Sequence, residues 1–111
     1  MQGVGEALKK DLRQGWPGAA IEYDGVLKGG YGIWIRAAGS KYRLEIGYRA
    51  TLHATEQRDH GASLITALRG QRWIEFLLVH RCAFVGMDEN EYVLSPCPSS
   101  PEPPVLRLPD P

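Results

Sequence analysis

The chain has 111 residues, with 13 Lys or Arg balanced by 13 Asp or Glu and a pI near 6.8. That length makes one domain with a modest core that needs neither disulfide nor metal, and zero net charge excludes a global field drawing it to nucleic acid or a membrane surface. The charge is uneven, since residues 1–81 hold twelve bases against eight acids and residues 82–111 hold one against five, so a mildly basic body precedes an acidic end.

Val4, Leu8 and Leu12 recur every four residues with Ala7 beside them, and Glu6 precedes Lys10 at the favourable spacing, which predicts a helix. It should stop at Gly15, with Pro17 preventing continuation. Lys9, Lys10 and Arg13 read as its solvated face.

From Ile21 to Tyr48 the alternation is period two, which predicts a three-stranded antiparallel meander. Ile21, Tyr23, Leu27, Tyr31, Ile33, Ile35, Tyr42, Leu44, Ile46 and Tyr48 fall on the inner face; Glu22, Asp24, Trp34, Arg36, Lys41, Arg43, Glu45 and Arg49 fall on the outer one. A two-residue loop at Gly39 and Ser40 would set Ile35 opposite Leu44 and Ile33 opposite Ile46. A three-residue loop of Lys28, Gly29 and Gly30 would set Leu27 opposite Tyr31 and Tyr23 opposite Ile35.

Thr51 to His60 turns polar, and Leu64, Ile65 and Leu68 up to Gly70 predict a second helix with Asp59 or Thr55 as N-cap. Trp73 to Val79 is apolar apart from Glu75 and far too short to cross a bilayer; its aromatic and β-branched content, after the break at Gly70, favours a strand. Arg81–Met87 and Tyr92–Ser95 flank the turn residues Asp88, Glu89, Asn90 and Glu91, a hairpin that places Cys82 opposite Cys97, Val85 opposite Leu94 and Met87 opposite Tyr92. No charged n-region and apolar h-region open the sequence, so the expected location is the cytoplasm and the expected state of both cysteines the free thiol. Seven of the eight prolines follow Ser95 and predict an extended tail over 96–111, after a body at 1–95, with Val105, Leu106 and Leu108 as an apolar island in it. The fold class read from these elements is α+β: helix, meander, helix, further strand and hairpin, with the helices on one sheet face.

The expected register puts Asp24, Trp34 and Glu45 in one outer row and Glu22, Arg36 and Arg43 in the next. The order helix, three strands, helix, strand over residues 4–79, with an acid on the first strand and another on the third, resembles the core of PD-(D/E)XK nucleases and would imply metal-dependent cleavage of nucleic acid. In that family a lysine follows the third-strand acid by two positions, and here Gly47 stands there. The opening helix, meander and second helix also resemble a double-stranded RNA-binding domain, whose lysine cluster is replaced by Thr55, Glu56, Gln57, Arg58, Asp59 and His60. The layout over 4–95 is similar to phage tail terminators and related head-to-tail joining proteins.

His53, His60, His80, Cys82 and Cys97 contain no closely spaced ligand pair, no nucleophilic triad is signalled, and Gly29, Gly30 and Gly32 do not open a helix as a phosphate loop would. No catalytic residue, metal or cofactor is therefore assigned. The expected role is a small non-enzymatic interaction or assembly factor: an inhibitor, immunity or accessory protein, or a phage or mobile-element component. It would bind another protein or a second copy of itself, and no membrane, through Trp34, Arg36, Arg43, Glu45 and Asp24. The alternative is a nucleic-acid-binding or divergent nuclease-like domain using the same outer face, with nucleic acid as a partner of the mildly basic body.

Overall fold

The structure, a computed structural model, describes residues 2–27, 30–59 and 61–97. The expected tail falls almost wholly at 98–111, outside the described residues. The chain runs α1 (Gln2–Gly15), β1 (Ala20–Leu27), β2 (Gly30–Ala37), β3 (Ser40–Gly47), α2 (Tyr48–Glu56), α3 (Ala62–Gly70), α4 (Trp73–His80), β4 (Cys82–Asp88) and β5 (Glu91–Pro96). Five strands form one mixed sheet in sequential order; β3 and β4 are parallel and the other neighbours antiparallel. Parallel neighbours need a crossover, and α2, α3 and α4 supply it. Among the described residues no helix is long and apolar enough to cross a membrane.

The four-residue period of Val4, Leu8 and Leu12 buries one stripe of α1. It joins Ala50 and Ala54 of α2, Leu64, Ile65 and Leu68 of α3, and Trp73 and Leu77 of α4 in one core with Ile33, Ile35, Leu44, Ile46, Ala83 and Val85 of the strands. The helices thus lie on one face of the sheet, as expected. The polar stretch that begins at Thr51 is part of a helix the sequence did not signal, α2, whose small Ala50 and Ala54, one turn apart, bring it close to the strands. The stretch at 73–79 is a helix and not the expected strand. Trp73 and Leu77, one turn apart, are its buried positions, while Leu78 and Val79 are left exposed. Arg72 takes positive φ and separates α3 from α4, and α3 is preceded by Gly61 without a side-chain cap, so neither Asp59 nor Thr55 serves there.

Asp11 is the charged residue at the centre of this packing, only 5% exposed. Its carboxylate accepts a 2.8 Å bond from the Trp73 indole N–H and pairs with Arg69, joining α1 to α3 and α4.

Two registers differ from expectation. The β2–β3 turn is made by Ala38 and Gly39, at φ 50° and 78°. Positive φ at both central positions is the type I′ geometry that matches strand twist. Ala37 then faces Ser40, and the pairs become Ile35 with Tyr42, Ile33 with Leu44 and Tyr31 with Ile46. The slip is two residues, so every β2 and β3 side chain keeps its expected face. Tyr48, freed from pairing, begins α2 and is 63% exposed.

In β1 a bulge between Ile21 and Tyr23 advances the strand by one residue. A one-residue step exchanges faces, so Tyr23 and Leu27 move to the outer face and Asp24 to the inner. There Asp24 accepts a 3.1 Å hydrogen bond from the Tyr31 hydroxyl and lies 3.3 Å from the Lys9 ammonium. Leu27 pairs directly with Gly30, where a Cβ would collide with the Ile46 carbonyl oxygen.

Burial first, and then the Asp24 charge, raise the Tyr31 phenol far above its ordinary 10.0. A phenol with a raised folded pKa contributes stability that is complete below pH 10 and lost as pH climbs toward the folded value. Denaturation midpoints should therefore fall as pH rises above 10, and Tyr31→Phe should flatten that fall. An equally steep alkaline loss in Tyr31→Phe would show that another group drives it.

Candidate functional site

The sheet face opposite the helices is lined by side chains of all five strands, and among the described residues no helix covers it. One row reads Tyr23, Trp34, Arg43, Cys82 and Cys97; the next reads Gly25, Gly32, Glu45, Phe84 and Ser95. Each large aromatic has a glycine two residues away on the same strand face: Tyr23 with Gly25, Trp34 with Gly32, Phe84 with Gly86. The rings lie over these gaps. A Cβ added at Gly32 would run into the Trp34 ring and Leu27, and one at Gly47 would meet the Phe84 ring at 2.8 Å. The glycines thus let the rings lie low on the sheet, recovering the apolar contact that a glycine in a strand forfeits. Tyr23 meets Trp34 edge to face, with centroids 5.7 Å apart.

At the centre of this surface Arg43 donates a 3.3 Å hydrogen bond to Glu45, two residues along the same strand, and its guanidinium carbon lies 6.0 Å from the Trp34 ring centroid. The two side chains are only 12% and 22% exposed. Burial weakens the guanidinium's hold on its proton, and the neighbouring Glu45 acts in the opposite sense. Both attractions on Arg43 operate in a partly desolvated setting, where ion pairs and cation–π contacts are stronger than at an open surface. Arg36 stands one row further out, opposite Lys41, and binds Glu22 at 2.7 Å. That hydrogen bond holds the Glu22 carboxyl below its ordinary range.

The structure therefore brings Trp34, Arg43 and Glu45 together, places Arg36 beside them with its own partner, and removes Asp24 to the other face. Arg43 faces Trp34 and not Arg36, so the expected arginine pair does not form. Glu45 answers Arg43 within its own strand. Asp24 and Glu45, the acids that would have served a nuclease metal, lie on opposite faces of the sheet. The β1 bulge causes this, and it withdraws the geometry that the nuclease resemblance implies. Tyr23 and Phe84 were missed as members of the surface. The signal was present in the sequence as Tyr23-Asp24-Gly25, Gly32-Ile33-Trp34 and Phe84-Val85-Gly86, an aromatic two positions from a glycine three times over.

The cysteines are joined in a disulfide in place of the expected free thiols. The β4–β5 hairpin has the expected register, with Val85 opposite Leu94 and Met87 opposite Tyr92. Its next pair sets the Cα atoms of Cys82 and Cys97 5.5 Å apart on the outer face, within bridging range. The bond closes a segment with a sequence separation of 15, and a loop of that size corresponds to up to about 3 kcal/mol in the chain-entropy account. Urea midpoints measured with and without a reductant should differ accordingly; coincident curves would mean that the bond adds nothing to the folded protein.

The two edges of the sheet are unlike. The Gln71 amide donates to the Tyr92 carbonyl at 2.9 Å and accepts from the Leu94 N–H at 3.0 Å, occupying two outward groups of β5, and Pro96 offers no N–H. A further strand cannot add there without displacing Gln71. At the other edge, the bulge in β1 interrupts regular pairing. Of the surfaces the sequence offered, the outer face is the one the described residues build most fully.

No family model, no curated protein and no solved structure matches the chain. What its own geometry defines is a small α+β domain: a five-stranded mixed sheet with four helices on one face and an aromatic, arginine-centred surface on the other.

Proposed function

We propose that this is a non-enzymatic protein-interaction or assembly factor whose partner seats on the outer sheet face. The observation that carries the reading is the half-buried group of Tyr23, Trp34 and Phe84 around the Arg43–Glu45 pair, on a face that no helix covers among the described residues. Tryptophan, tyrosine and arginine carry a disproportionate share of binding energy in protein interfaces. These side chains are also held by glycine gaps and strand register, so little ordering would remain for binding to impose. An inhibitor, immunity, accessory or phage-derived component would each use such a surface in the same way.

A second reading has its own support. Arg36 and Lys41 stand opposite one another at the Trp34 end of this face, Lys41 without an ion pair among the described residues. Stacking rings beside bases are the elements with which single-stranded nucleic acid is held.

The test is to identify a partner by affinity capture and then to measure its binding to Trp34→Ala and Arg43→Glu proteins that remain folded by circular dichroism. Losses of tenfold or more are expected, because truncations at interface centres cost about 2 kcal/mol or more. Unchanged affinity in both would remove the outer face from the binding surface. Capture of nucleic acid, with affinity falling steeply as salt rises, would favour the second reading.

A further inference from the structure

We propose that reduction of the Cys82–Cys97 bond uncovers a binding site for a thiophilic divalent ion of the Zn²⁺ class, formed by the two sulfurs and the Glu45 carboxylate. This is independent of any partner on the same face. One carboxylate oxygen and both sulfurs lie within 4.8 Å of one another, and the residues come from three adjacent strands, β3, β4 and β5. Sequence spacing cannot show such a site, because its ligands are gathered across a sheet and not along a short loop.

The geometry suits a tetrahedral ion. Two thiolates bound at about 2.3 Å stand about 3.8 Å apart, a separation that side-chain rotation reaches from Cα atoms 5.5 Å apart without moving either strand. Glu45 would supply the third ligand and water the fourth. Charge closes as well. Two thiolates and a carboxylate carry three negative charges, the ion returns two, and Arg43, already hydrogen-bonded to Glu45 at 3.3 Å, returns the third. A ligating carboxylate held by such an outer donor is the usual arrangement in metal sites. Sulfur ligands select Zn²⁺ over Mg²⁺ or Ca²⁺, which prefer all-oxygen cages.

The oxidised and metal-bound forms exclude each other. A dithiol reductant exchanges with the Cys82–Cys97 bond, passing two electrons and two protons to the pair and leaving as its own disulfide. The ion then displaces both thiol protons to solvent as two S–metal bonds form. Reoxidation to the disulfide would have to expel it.

The experiment uses the full chain, reduced and desalted without oxygen, with Co²⁺ as the spectroscopic probe. The expected result is thiolate-to-cobalt charge-transfer absorption saturating at one ion per chain, absent from the oxidised protein and bleached by added Zn²⁺. Glu45→Gln should weaken uptake at least tenfold, and Cys97→Ser should abolish the two-thiolate spectrum. Circular dichroism confirms that each variant is folded. No such absorption from the reduced parent protein overturns the proposal without reference to any variant. Equal uptake by parent and Glu45→Gln removes the carboxylate from the site and overturns it as stated, as does equal uptake by the oxidised chain.

Discussion

Replacing Asp11 with Ala should cost about 2 to 4 kcal/mol, since a buried donor left without its acceptor costs about 1 to 3 kcal/mol and the void left by the side chain adds to it. Asp11 is 5% exposed, and its carboxylate accepts from both the Trp73 indole and Arg69. Its removal leaves a fully buried indole N–H without a partner and a void between α1 and α4 that the rigid Trp73 ring is poorly shaped to fill. Arg69 is different, because its side chain is 59% exposed. Arg69→Ala should therefore cost far less, since water replaces much of the guanidinium's contribution and the Trp73 bond to Asp11 survives. Asp11→Asn keeps an acceptor for the indole and should fall between the two. Urea denaturation of the three proteins decides the matter. Equal losses for Asp11→Ala and Arg69→Ala would mean that the ion pair, and not the buried indole bond, dominates.

Leu44→Ala should be comparably damaging, in the upper part of the range of about 2 to 5 kcal/mol that large-to-small core changes produce. Leu44 is 1% exposed on a central strand, facing Ile33 across one ladder and Ala83 across the other. Ala83 is too small to close over the space and its strand is fixed on both sides, so little of the cavity can collapse. The same position tests the register. In a double-mutant cycle Ile33 should couple to Leu44 more strongly than to Ile46, because directly opposite side chains touch more closely than diagonal ones. Stronger coupling of Ile33 to Ile46 would restore the register that the bare alternation suggested.

The difference between those registers shows where sequence reasoning stops. Alternation assigns each residue of Tyr31–Gly47 to a face, and every β2 and β3 assignment holds. Two glycine-containing loops differing by one position nevertheless give apolar pairs that are equally acceptable on paper, and only the Ala38–Gly39 turn, with positive φ at both residues, selects between them. The β1 bulge leaves no trace in hydrophobicity, because Tyr23 and Leu27 are acceptable on an aromatic outer face and Asp24 on an inner one that offers it Tyr31 and Lys9. Trp34, Arg43 and Glu45 were legible as neighbours on the outer face; the loss of Asp24 from that face was not.

Local pattern alone determined α1, the three-strand meander, α3, and the hairpin that sets Cys82 opposite Cys97, because each rests on contacts within one element or across one short turn. The tertiary structure decided the rest. It made a helix of Trp73–His80, apolar up to Val79 apart from Glu75, where periodicity is silent because polar positions are too few to mark a face. It drew the small Ala50 and Ala54 against the sheet to form α2, and it set β4 parallel to β3, a pairing made possible only by the length of the helical crossover. Bringing Glu45 beside Cys82 and Cys97, 37 and 52 positions away in the chain, likewise belongs to the sheet as a whole, since no local spacing encodes which strands become neighbours.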